Sequence, residues 1–296
     1  MNQLKNLAII VLSIFVLAQS VLLFHLLAQR RAQRFQKITK ELKVWETEVS
    51  TAQKLKEKER EKEKAKPRET IGKIAIVLDD WGYNLKNSDF ITRNNFHVTL
   101  SVLPFKAYST QVAKLAYAAN KDVIIHMPME PKNKENYGLE ENTLLSGMDK
   151  KKILSLLDDA FKNVPHALGL SNHMGSRATE DAALMRVVLT YLKQRQCFFL
   201  DSLVTSKSVG RATARNLKMV FFKRDVFIDN ESDPSYIRQQ ILELAQKAKR
   251  DGFAIGIGHD RPQTIAVLKQ TILQLQAEGY QFVNLSEVAD LGQRDR

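Results

Sequence analysis

Disulfides, phosphate-cradling glycine loops and a serine elbow are all missing from this sequence. With one cysteine, Cys197, in 296 residues, an internal disulfide is excluded and the redox compartment stays open. No glycine-rich loop follows the first apolar run of the second half, which counts against a nucleotide-binding α/β domain. No G-x-S-x-G is present, which disfavours a serine hydrolase. Carboxylates are also in deficit, with 33 Asp and Glu against 45 Lys and Arg, for a formal charge of +12. That excess is local. Residues 29–70 hold 14 of the cations and 8 of the carboxylates, so half of the net charge sits in one stretch. The remainder is only mildly basic, and no nucleic-acid partner is expected.

What is present divides into three parts. Leu7 to Ala28 runs without a Lys, Arg, Asp or Glu. It is long enough to cross a bilayer, and Lys5 precedes it as in a signal sequence. Residues 1–28 are therefore expected to be a signal anchor or transmembrane helix that binds the membrane through 7–28. Arg30, Arg31, Arg34 and Lys37 follow at once, which by the positive-inside rule argues for a cytoplasmic C-terminal side. In residues 29–70, Phe35, Ile38, Leu42, Trp45, Val49 and Ala52 are spaced as an a/d seam. The stretch after Leu55 is alternating Lys and Glu up to Lys66, and Pro67 closes it. The expectation is a charged, coiled-coil-like stalk or linker, with self-association or an envelope partner through 29–66.

From residue 71 to 296 the pattern becomes regular. Apolar runs suited to buried strands lie at 74–78, 98–103, 122–125, 167–170, 197–200, 217–222, 254–257 and 281–285. Helical patterns fill the intervals at 84–93, 107–119, 149–163, 179–194, 207–215, 234–250 and 262–277. Strand and helix alternating in this way predict βαβ units, a parallel sheet and an α/β barrel, with an open doubly wound sheet as the alternative.

Polar residues collect directly after these runs. They are Asp79-Asp80, Pro104, His126 with Glu130, Asn172-His173 with Arg177, Asp201, and His259. In a parallel barrel all such ends open on one face. Carboxylate and imidazole together suit Zn²⁺ or another divalent transition metal. One Asp and two of the three histidines could hold the ion, while a second carboxylate takes a proton and the remaining His gives one.

The segments Ile76–Tyr83, Ile125–Glu130, Ser171–Ser176, Phe199–Ser202 and Ile255–His259 resemble the divergent polysaccharide deacetylase family, within the glycoside hydrolase and NodB-like deacetylase superfamily. The resemblance covers about residues 72 to 290. It implies a distorted (β/α)7 barrel and a metal-dependent deacetylase acting on an acetylated polysaccharide or peptidoglycan-type glycan. Carried onto these residues, Asp79 is the base and Asp80 a metal ligand. His126 is a second ligand, and Glu130 stands where the pattern normally holds another His. His173 is the expected replacement ligand, with Glu130 the lesser candidate. His259 matches the general acid, and Asp201 is expected to orient it or the site's donors. Asn172, Arg177, Trp81, Pro104 and Glu130 are supporting or substrate-binding candidates. Exported relatives imply a barrel on the extracytoplasmic side of the membrane, against the charge rule above. Two other readings stay open: a non-catalytic metal- or glycan-binding envelope module, and a glycosidase using a carboxylate pair such as Asp79 and Asp201.

Overall fold

The structure, a computed structural model, describes residues 70–136 and 138–289. The expected anchor, and all but the last residue of the expected stalk, lie outside the described residues. Among the described residues no helix is long and apolar enough to cross a membrane.

The chain alternates as the apolar runs predict. The order is β1 (Lys73–Trp81), α1 (Ser88–Thr92), β2 (Thr99–Val102), α2 (Ser109–Ala118), β3 (Asp122–Met129), α3 (Lys150–Asn163), β4 (Ala167–Met174), α4 (Ala182–Gln194) and β5 (Phe198–Asp201). There follow α5 (Gly210–Leu217), β6 (Phe221–Lys223), β7 (Val226–Phe227), α6 (Pro234–Asp251), β8 (Phe253–His259), α7 (Pro262–Glu278) and β9 (Gln281–Val283). Helix starts are set by side chains that satisfy otherwise orphaned N–H groups. Asp149 caps α3 through Lys151 N, Asp181 caps α4 through Ala183 N, and Asp233 caps α6 just before Pro234.

All the strand pairs are parallel, in the order β6-β5-β4-β3-β2-β1-β8-β7. The two ends of that path, β6 and β7, are separated in the chain by Arg224 and Asp225 alone. The sheet must therefore curl until its edges meet. The seam is bridged by Arg224 N–H donating to Asp201 O and Asp225 N–H donating to Ile255 O. β9 shares one edge of β1 with β2, pairing with Lys73–Ala75 while β2 takes the later residues.

Nine strands stand among the described residues where the family resemblance implies seven. The two short extras, β7 and β9, patch the seam and the amino-terminal end, places where a two- or three-residue pairing suffices.

Alternate residues separate two cores, as the period of two requires. Ile74, Ile76 and Leu78 pack outward under the helices. Ala75 and Val77 face inward with Ile124, Phe198, Leu200, Ile255 and Ile257, which fill the barrel. Gly169 lacks a side chain because Phe198 occupies its space: a Cβ there would come 2.6 Å from the Phe198 ring. Cys197, the residue before β5, is half-buried.

Candidate metal centre

The strands outlast their apolar runs. Asp79 and Asp80 lie within β1, His126 within β3 and His173 within β4, so these residues sit on paired backbone rather than on loops. Register explains the convergence. Asp79 follows Ala75 and Val77 on the inward face and pairs with His259, which follows Ile255 and Ile257. His126 continues the inward row of Ile124 and pairs with Ser171. The barrel filling thus ends, at the carboxyl end of the strands, in a layer of Asp and His.

Asp80 breaks this alternation. In a regular strand it would point opposite to Asp79, into the outer core. Between Leu78 and Trp81 the pairing with β2 slips by one residue, and Asp80 has φ 65°. This bulge, with a non-glycine residue in the left-handed region, turns the second carboxylate toward the same site.

The geometry is tight. Asp80 Oδ1 lies 3.1 Å from His173 Nδ1 and 3.5 Å from His126 Nε2, and the two imidazole nitrogens are 3.2 Å apart. These three residues each offer a ligand atom within 4.8 Å of the others. Despite the short distances, Asp80 Oδ1 is buried without an aligned hydrogen-bond donor. A buried carboxylate oxygen facing two ring nitrogens and satisfied by none fits a divalent cation.

Electrostatics distribute the protons. Burial drives the His126 pKa well below the ordinary histidine value, with His173 and His259 adding to the fall, so its ring is neutral as ligation requires. Its Nδ1 is 2.7 Å from Ser171 Oγ, which is in turn 2.8 Å from Ser101 Oγ. That contact leaves Nε2 for the cluster. Burial works against ionisation of Asp80, but His173, His126 and His259 outweigh it and hold its carboxyl below the usual range. Asp79 is the opposite case. Burial pushes its pKa to about 7, Asp80 adds to the rise, and His259 and Ser101 only partly offset them. Asp79 Oδ1 lies 3.5 Å from His126 Nδ1 and is also without a hydrogen bond.

His259 faces the cluster from β8, its Nε2 3.9 Å from Asp80 Oδ2. Its Nδ1 is held at 2.8 Å by Asp229 Oδ1. Burial opposes its charge, yet Asp229, Asp79 and Asp80 raise its pKa above the ordinary value. Asp229, fully buried, accepts three further or shared contacts through Oδ2 and its carbonyl: from His259 N–H, from Thr264 Oγ1 and from Arg261. Asp229, and not Asp201 as expected, is the carboxylate that orients His259. Both Asp201 oxygens are engaged elsewhere, by Ser208 Oγ at 2.6 Å and Leu203 N–H at 2.8 Å. Asp201 instead stands beside Arg224, whose charge also neighbours Asp79.

Glu130 turns away from the cluster. It is 3% exposed, and its Oε2 accepts from Ser146 N–H while Oε1 pairs with Lys134 at 3.0 Å. It fastens the 131–147 loop rather than standing among the ligand atoms. Arg177, exposed, reaches only to 3.9 Å of Glu130. Asn172 is buried and ties β4 to the end of β5, donating to Met174 O and accepting from Ser202 N–H. Trp81 is fully buried with its Nε1 unpaired, and Pro104 is buried. Asp229 escaped sequence reasoning because the apolar run before it, Val226–Ile228, is shorter than a recognisable strand.

The model of the divergent polysaccharide deacetylases matches residues 76–289. The chain belongs to that family. It is 34% identical over 204 residues to the Escherichia coli K12 protein YibQ, covering 69% of this chain and 63% of that one. A Haemophilus influenzae KW20 protein is 33% identical over 216 residues, covering 73% and 76% respectively. A crystal structure of an Agrobacterium tumefaciens C58 protein superposes with a TM-score of 0.70 at 22% identity, over 73% of this chain and 89% of that chain, which shows a shared fold. In this chain five polar strand-end residues, Asp79, Asp80, His126, His173 and His259, meet at one centre.

Proposed function

We propose that this divergent polysaccharide deacetylase family member is a metal-dependent hydrolase that removes acetyl groups from an envelope glycan. The observation that carries the reading is the Asp80–His126–His173 cluster, flanked by a carboxyl raised to about 7 on one side and an imidazole with a raised pKa on the other. Asp80, His126 and His173 would hold the cation, Zn²⁺ or another divalent transition ion. When bound, it supplies a Lewis acid that polarises the acyl carbonyl and acidifies a water.

The chain's own groups move the protons. Asp79, nearly buried, accepts the proton of the attacking water. His259, its pKa raised and its ring aimed by Asp229, donates a proton to the leaving nitrogen or oxygen as the acyl bond breaks. Acetate and the free amine or hydroxyl are the products. The hydrophobic segment 7–28 would tether the enzyme to the membrane with the barrel on the extracytoplasmic side, and the 29–66 stalk would set its reach.

Loading the full chain with Zn²⁺, Co²⁺ or Mn²⁺ and measuring acetate release from peptidoglycan and acetylated polysaccharide fragments tests the reading. Activity is expected to vanish with a chelator and to return with metal. In Asp80→Ala and His173→Ala, metal affinity should fall by about two orders of magnitude or more. A metal-loaded protein releasing no acetate from any fragment would sink the proposal.

A further inference from the structure

Three residues beyond Asp80, the chain leaves the core at an aromatic ring. Trp81 is fully buried, Gly82 turns the backbone at φ 120°, and Tyr83 emerges 51% exposed. The turn is pressed against the core, since a Cβ on Gly82 would come 3.0 Å from Ser109 Oγ and 3.1 Å from Leu103 O. An exposed tyrosine on such a loop would ordinarily sample several rotamers. This one is braced. Its hydroxyl donates to Glu140 Oε1 at 2.9 Å. Lys106 pairs with the other oxygen of the same carboxylate and stands 4.8 Å from the Tyr83 ring centroid. Glu140 is itself anchored, because its loop returns to the sheet where Leu144 N–H donates to Pro128 O and Glu130 N–H to Leu144 O.

Holding a half-exposed ring in one orientation costs side-chain entropy without burying the ring in return. The ring also follows the end of β1 that carries the centre, three residues after Asp80 of the Asp80–His126–His173 cluster. A rigid aromatic face next to a hydrolytic centre suits a pyranose ring, whose axial C–H groups carry the partial positive charge that the electron-rich ring face attracts. Pre-ordering the ring removes an entropy cost from binding.

We propose that Tyr83, braced by Glu140 and Lys106, is the platform on which the sugar ring adjoining the acetylated residue of the glycan stacks. The proposal rests on the deacetylase reading above and deepens it. Lys106 covers part of the ring, and the sugar takes the exposed remainder. Tyr83 is then a specificity residue that contacts substrate without touching the reacting bond.

The test is calorimetric titration of the full chain with two series, N-acetylglucosamine oligomers and acetylated xylo-oligomers of one to six rings, alongside acetate-release kinetics. Affinity is expected to rise from one ring to several in the series that binds. Tyr83→Ala should weaken binding of the longer oligomers about tenfold, with the loss in KM rather than kcat. Tyr83→Trp, which restores a ring, should recover most of it. Oligomer affinity equal in wild type and Tyr83→Ala, or no binding of either series, would overturn the platform. The two proposals fail differently. Tyr83-dependent binding without acetate release leaves the platform standing and removes the deacetylase, whereas acetate release with an unchanged KM in Tyr83→Ala does the reverse.

Discussion

His259 and Asp229 are joined twice: Nδ1 of the imidazole lies 2.8 Å from Oδ1 of the carboxylate, and the His259 backbone N–H donates to Oδ2 at 2.8 Å. The carboxylate thereby fixes both the backbone and the ring of one residue, and presents Nε2 to the cluster. Burial opposes the charge of Asp229, but the His259 and Thr264 bonds outweigh it and lower its pKa.

Asp229→Asn should therefore uncouple the pair. The His259 pKa is expected to fall, and the alkaline limb of the pH–rate profile to move to lower pH. The stability effect has a defined window. A histidine with a raised folded pKa stabilises fully below its unfolded value of about 6.5 and loses that contribution as pH rises through the folded pKa. The depressed Asp229 contributes above its unfolded value of about 3.9 and loses it as pH falls through the folded pKa. The difference between wild type and variant should then be largest between about pH 4 and 6.5, at about 3 kcal/mol for a buried pair with one partner removed. Imidazole NMR titration and denaturant unfolding across that range check both parts. An unshifted His259 would refute the coupling.

Asp79 presents the opposite sign. Its folded pKa of about 7 lies above the ordinary carboxyl value of 3.8, so the metal-free folded state binds the extra proton between those values. Stability should decline as pH rises through that interval. Asp79→Asn, which keeps the shape and removes the charge, is expected to be more stable than wild type above pH 7 by about 4 kcal/mol. Its acetate release should drop about a hundredfold or more, with metal binding retained. Thermal melts of the chelated proteins at pH 5 and pH 8 measure the stability term. Equal melting temperatures at both pH values would remove Asp79 as the titrating group.

Gly82→Ala tests the backbone that places both Asp80 and Tyr83. At φ 120° an alanine is strained, and its methyl would press on Leu103 O and Ser109 Oγ. A loss of about 1–3 kcal/mol is expected, together with weaker metal binding as the strain passes to the Asp80 bulge. Metal titration of the folded variant reads the second effect. Wild-type affinity there would show that Asp80 is held independently of the turn.

Much of this arrangement was legible in the residue order. Apolar runs ending in Asp79-Asp80, His126, His173 and His259 marked both the strands and the polar layer, because a strand buried on two faces must be apolar until it leaves the barrel. The alternation of runs and helical patterns determined a parallel α/β sheet for the same reason of burial. Tertiary structure decided what depends on contacts remote in sequence. Asp79 and Asp80 face one site only because β1 slips against β2 at Asp80, a register event invisible in β1 itself. Asp229 holds His259 because two-residue β7 pairs with β8, and nothing so short stands out from a loop by pattern. Asp201 and Glu130, chosen by position, are satisfied by Ser208 and Ser146 in segments whose return to those strands no local periodicity encodes. The sequence by itself determined which chemistry gathers at the end of the barrel; pairing register and neighbouring donors decided which of those side chains face one another.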